Sequence, residues 1–174
     1  WVFPGGRVDE QDALPVSQQV AGGQQAARWM ERPLEQARAF LVAGVRETLE
    51  ESGVWLGQGQ VTDKARLKLA AGDDTLVELM QRADLSVDLD VLRPWAWWLT
   101  PEIEPKRYDT RFFVASVSAD AQGHHDEHET VDSGWFELGD LLTKVEAGEL
   151  AMAPPTWWTL TELSAFVDVQ SVLA

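Results

Sequence analysis

The sequence predicts a mixed fold, α/β or α+β, in one domain spanning residues 1–174, and three observations carry that expectation. Ala37, Leu41, Val45 and Leu49 recur at four-residue spacing ahead of Gly53, the apolar stripe of one packed helix. Aromatic and β-branched runs at 95–99, 110–117 and 130–137 read as strands, and helical stretches lie on either side of them. With 174 residues, 45% of them hydrophobic, the chain is long enough to bury a real core.

Trp1-Val2-Phe3 ahead of Pro4-Gly5-Gly6 reads as a strand end entering a turn, and a further strand is expected upstream of Trp1. Residues 4–12 read as a turn-rich acidic loop. Residues 13–32, with Pro15, Gly22, Gly23 and four Gln, read as a loop or irregular insertion. Pro33 suits a first helical turn, and Gly53 is placed to end the helix that carries the apolar stripe. Two short helices are expected over 62–71 and 75–83, with Asp74 as the cap of the second and Leu76, Leu79 and Met80 as its apolar contacts. Ser86 to Leu92 reads as a further turn of helix. Beyond the strands, helices are expected over 138–147 and 156–167, the latter following Pro154-Pro155.

Fourteen Lys and Arg against 29 Asp and Glu give a formal charge of −15, which opposes non-specific binding to nucleic acid or to anionic membrane. A phosphorylated substrate would then need metal ions or a local Arg cluster. The absence of Cys excludes disulfides and thiol chemistry. No apolar run approaches the roughly 20 residues that span a bilayer, and a cytoplasmic protein is the simplest expectation. Most of the nine Trp are expected in the core or in a homodimer interface.

Residues 46–54 read Arg-Glu-Thr-Leu-Glu-Glu-Ser-Gly-Val. On a helix, Glu47, Glu50 and Glu51 share one face, turned away from the apolar stripe. Like charges this close repel, so either they splay into water as an ordinary acidic face or a divalent cation neutralises them. Gly6 together with Arg46-Glu47-x-x-Glu50-Glu51-x-Gly53 resembles the Nudix box, the metal-binding signature of the Nudix diphosphate hydrolases. The pattern departs from the family first in spacing: Gly6 and Arg46 stand 40 positions apart where the uninterrupted box has 14, so 26 extra residues intervene. Asp12 stands where the box Glu would follow Gly6, and Arg38 stands where the same Glu would precede Arg46. Thr48 replaces the usual apolar residue. A Nudix branch that includes the animal peroxisomal coenzyme A diphosphatases is similar in having its box split here, and Trp-x-Thr-Pro at 98–101 followed by Arg-Tyr-Asp-Thr-Arg-Phe-Phe at 107–113 looks like the same branch.

The resemblance implies a Nudix α/β/α sandwich around a mixed β-sheet. It implies Glu47, Glu50 and Glu51 as ligands of Mg²⁺ or Mn²⁺, with Glu50 and Glu51 catalytic and Arg46 orienting a carboxylate. It places Gly5 and Gly6 in the substrate loop. Glu129, six residues before Trp135, resembles an additional ligand or general base, with Glu127 in reserve. His124-His125-Asp126-Glu127-His128-Glu129 reads as a loop, or as a transition-metal site. Arg107 and Arg111 either meet substrate phosphates or pair with Glu102, Glu104 and Asp109. The activity implied is metal-dependent hydrolysis of a nucleoside diphosphate linked to another moiety. Coenzyme A or its thioesters lead, giving 3',5'-ADP and a phosphopantetheine product, and ADP-ribose or NADH is the alternative. A Nudix-like domain that senses a nucleotide without cleaving it is the reading of another class. Such a domain would be expected to lose box carboxylates, and all three are present here.

Overall fold

The computed structural model describes residues 1–13, 19–118, 121 and 134–173. In chain order the elements are β1 (Val20–Ala21), α1 (Gln24–Met30), α2 (Leu34–Ser52), α3 (Asp63–Ala70), α4 (Leu76–Ala83), β2 (Val87–Asp88), β3 (Arg93–Leu99), β4 (Asp109–Val114), α5 (Leu138–Glu146), α6 (Pro154–Leu163) and α7 (Val169–Leu173). Short 3-10 turns occupy Glu10–Ala13 and Leu89–Val91. Helices with strands confirm the α/β class. The strands form two two-stranded sheets among the described residues, β1 with β2 and β3 with β4, where a single mixed sheet was expected.

The chain divides into two compact units. The larger holds Pro4–Trp95 and the described residues of 113–133, and α2 is its axis. Pro33 caps the start of α2 with an extended backbone, and Gly53 ends it at φ 72°, the left-handed conformation that glycine adopts without strain. The predicted stripe is buried as expected: Ala37, Leu41, Val45 and Leu49 are all 0% exposed. Each of the three larger side chains contributes roughly 2 kcal/mol of burial. They pack with Leu79, Met80, Leu85 and Leu89 into one apolar core.

Within the segment 13–32, the described residues 19–32 are not irregular throughout. Val20–Ala21 pairs in parallel with Val87–Asp88, and Gln24–Met30 is helical and packs on α2, with Ala26 buried in the core. The Gly22 and Gly23 turn between them is real, both residues having positive φ. The segment that follows it, Gln-Gln-Ala-Ala-Arg-Trp-Met, is made largely of good helix formers. Asp74 does not cap α4; Thr75 does, in a reciprocal capping box with Glu78, while Asp74 pairs with Arg82. Ser86 to Leu92 holds β2 and a 3-10 turn in place of the expected helical turn.

The second unit comprises Trp1–Phe3, Ala96–Phe112 and the described residues from Gly134 onward. Here α5 packs on α6 with Leu141 and Leu160 buried, and Trp1 meets Phe136 edge-on at 5.0 Å. Of the strand expected over 130–137, residues 134–137 carry no regular element and the others lie outside the described residues. Among the described residues no helix is long and apolar enough to cross a membrane.

Candidate functional site

Because α2 buries one stripe, the helical period turns residues 46, 47, 50 and 51 toward the Pro4–Ala13 loop. Arg46 is the hub there. It is 3% exposed, and its guanidinium grips Asp12 with two bonds, Nε to Oδ1 at 2.9 Å and Nη2 to Oδ2 at 3.0 Å. Nη2 also donates to the Arg7 carbonyl at 3.0 Å, and Asp9 lies 3.6 Å away. Its Nη1 donates to Glu47 Oε1 and to Glu50 Oε2, both at 2.9 Å. A planar five-donor fork is suited to joining a loop carboxylate to two helix carboxylates at once. Asp12, itself 3% exposed, further accepts from the Asp9 amide at 2.8 Å. Of the two positions the sequence left open, Asp12 is the one that meets Arg46. Arg38 donates instead to the Gly22 carbonyl at 3.0 Å.

The Gly-Gly turn closes over the acids. The Gly5 amide donates to Glu51 Oε2 at 3.1 Å, and a Cβ placed on Gly6 would overlap the Glu47 carboxylate. An open cleft of about 330 Å³ runs beside them, lined by Gly5, Gly6, Asp9, Gln11, Arg46, Glu47, Glu50 and Glu51 together with Leu69, Ala70 and Gly72.

Burial raises the Glu50 pKa from 4.5 to about 7; Arg46 opposes the rise and the charge on Glu47 adds to it. Glu47 is shifted upward for the same leading reason, again against the pull of Arg46. Burial works against the charge on Arg46, but its bonds and attraction to Asp12, then to Glu50 and Glu47, outweigh burial and raise its pKa.

Among the described residues, no group of three His, Cys, Asp or Glu converges as a ready-made metal site. The reason is visible in the bonds: Glu47 and Glu50 turn to Arg46, and Glu51 turns to Gly5. The donor set nonetheless fits a hard cation. Three carboxylates line one polar cleft, and Glu47 and Glu50 each engage Arg46 through a single oxygen, so small rotations would present the acids to an ion.

The structure thus brings together Gly5, Gly6, Arg46, Glu47, Glu50 and Glu51. Arg107 and Arg111 belong to the second unit. Arg107 donates to the Thr100 carbonyl at 3.0 Å, and Arg111 pairs with Asp109 while stacking 4.1 Å from the Trp97 ring centroid. Glu127, Glu129 and the His124–His128 cluster lie outside the described residues. Sequence reasoning missed Asp9, the cleft residues Leu69, Ala70 and Gly72, and the buried Arg66. A charged residue in a short helix ordinarily marks the solvated face, and only its spacing from Leu69 and Ala70 hinted at Arg66.

Three comparisons bear on this arrangement. The family model of the NUDT19 Nudix domain matches residues 15–163. Among relatives, the chain is 28% identical over 173 residues to a Caenorhabditis elegans protein named nudix hydrolase 7, covering 96% of this chain and 51% of that one. It is 23% identical over 157 residues to the acyl-coenzyme A diphosphatase NUDT19 of Xenopus laevis, covering 77% and 41%. The chain therefore spans about half the length of these relatives or less. The crystal structure of a Nudix hydrolase from Alicyclobacillus acidocaldarius superposes with a TM-score of 0.84 at 26% identity, over 99% of this chain and 79% of that one. With the α/β Nudix fold in place and the family match running through most of its length, this chain belongs to the Nudix superfamily, in the group defined by the NUDT19 Nudix domain.

Proposed function

We propose that this chain hydrolyses a nucleoside diphosphate linked to another moiety, with coenzyme A or its thioesters as the favoured substrates. The observation that carries the reading is the gathering of Glu47, Glu50 and Glu51 on one cleft, with Arg46 holding two of them and the Gly5-Gly6 turn closing on the first and last. Two further facts support it. Two relatives, from Xenopus laevis and Homo sapiens, are named acyl-coenzyme A diphosphatases, and a chain of charge −15 has few other means of attracting a phosphorylated substrate. One Nudix domain over 1–174 with its box split by an insertion is part of the same proposal.

Glu47, Glu50 and Glu51 would hold Mg²⁺ or Mn²⁺, a charge that polarises the attacking water and neutralises the phosphoryl oxygens. Arg46 fixes the directions of Glu47 and Glu50 and keeps the loop against α2. The Gly-Gly turn lets main chain approach the cleft without a side chain in the way. Glu129 is the proposed base that takes the proton from water. Glu129→Gln should lower kcat with little change in KM and recover in part in alkali, whereas Glu127→Gln should be near neutral; the reverse pair of results moves the base to Glu127.

The reading is tested by a panel of coenzyme A, an acyl thioester, ADP-ribose and NADH with Mg²⁺ or Mn²⁺, the products identified by mass. Release of 3',5'-ADP from coenzyme A is the expected result. Cleavage of ADP-ribose or NADH alone would overturn the substrate assignment. Binding without cleavage of any member would replace hydrolysis by nucleotide sensing.

A further inference from the structure

Resting on that reading of the site, we infer that Arg66 is a positioning residue for the reaction: it fixes the Glu50–Glu51 turn from behind and sets the α3 wall of the cleft against it. Arg66 is 7% exposed, and its Nη1 donates to the main-chain carbonyl of Glu50 at 2.9 Å. That carbonyl is one of the four at the C-terminal end of α2 that cannot all be satisfied within the helix. Gly53 N bonds to Leu49 O, and Val54 N, the donor that would meet Glu50 in a longer helix, turns to Ser52 Oγ at 3.4 Å. Arg66 supplies the missing donor, with its positive charge at the negative end of the helix dipole.

Glu50 is consequently held at both ends by two guanidinium groups. Arg46 on its own helix takes the carboxylate, and Arg66 on the neighbouring helix takes the carbonyl. The peptide plane between Glu50 and Glu51 is fixed by that carbonyl, and Glu51 Oε2 in turn meets Gly5 N. On α3, Arg66 shares a face with Leu69 and Ala70, three and four residues on, and these two line the cleft. One bond therefore registers the wall of the cleft against its acids.

Stability alone does not account for the residue. Arg66 forms no ion pair with a carboxylate among the described residues, and its buried Nε has no partner there. Burying a guanidinium on such terms costs more than burying an apolar side chain of the same length.

The test compares Arg66→Met, which keeps length and loses the donor, with Arg66→Lys, which keeps a donor. Mn²⁺ affinity is read from the resonance of the free ion, and kcat and KM are measured with coenzyme A, all well below the melting midpoint. The Met variant should lose about tenfold or more in Mn²⁺ affinity and in kcat, with KM within about twofold, and Lys should restore most of both, the scale expected when a group that orients a ligand is removed. Should the Met variant not fold, Arg66→Gln, too short to reach Glu50, takes its place with the same expectation. A Met or Gln variant that melts earlier but binds Mn²⁺ and turns over like wild type would overturn the inference and leave Arg66 a packing residue. A Lys variant no better than Met would also overturn it, because the hydrogen bond would then be irrelevant. Wild type that neither binds Mn²⁺ nor cleaves coenzyme A would instead overturn the reading of the site on which the inference stands.

Discussion

Gly6 shows how little room a single position leaves. Its main chain lies against the Glu47 carboxylate so closely that even a methyl group would overlap it, while its φ is not in the left-handed region. Gly6→Ala therefore strains no backbone and must be accommodated at the end of the Glu47 side chain. The expected outcome is a loss of about tenfold or more in kcat and in Mn²⁺ affinity, as for other changes that turn a ligand. Unfolding free energy should change by no more than about 0.5 kcal/mol, as for a substitution outside the core. A chemical denaturation curve beside a kinetic assay separates the two effects. Unchanged kinetics would mean that Glu47 has freedom to move aside and that its direction does not matter.

The element that decides the site is α2 together with the loop it captures. Asp12 and Arg46 are buried as a pair, their side chains 1% and 4% exposed, so removing one leaves the other charged and stranded. Asp12→Ala should cost about 3 kcal/mol, the penalty for breaking a buried ion pair, which in a chain of this size lowers the melting midpoint by about 6–12 °C. A calorimetric scan checks this, and a shift under 2 °C would show Asp9, Glu47 and Glu50 to be sufficient company for Arg46. How much of this could be read in advance follows from the same elements. The stripe Ala37, Leu41, Val45 and Leu49 announces α2, and the acids opposite it announce the site, because helical periodicity is local and regular. The partner of Arg46 lay 34 positions away beyond a long interruption, so sequence left Asp12 and Arg38 both standing until the hydrogen bonds distinguished them. Strand β1, two residues long, exists only through its pairing with Val87–Asp88, which no local pattern signals.

At the scale of the whole molecule, an acidic chain carries a cluster of half-buried acids that favour protonation. Glu50 rises from 4.5 to about 7, with burial as the first cause, and Glu47 rises with it. An acid whose pKa is raised by folding contributes stability that is full below its ordinary value and is lost as pH climbs through the folded value. Without metal, the Glu50 contribution thus favours the fold at pH about 5.5 over pH about 8. A cation needs the carboxylate form, so Mn²⁺ should bind more tightly as pH rises through about 7 and should release a proton as it binds. Melting midpoints at the two pH values, with and without Mn²⁺, should show the larger metal-induced gain at the higher pH. An equal gain at both would mean that Glu50 is not among the groups the ion displaces from their protons.

Whether the three carboxylates of α2 work through a cation is decided by turnover of coenzyme A by chelator-treated protein. Excess chelator should abolish hydrolysis and Mg²⁺ or Mn²⁺ should restore it, since Arg46, the one cation among the described residues lining the cleft, is already shared with Asp12, Glu47 and Glu50. Full turnover in excess chelator would contradict it.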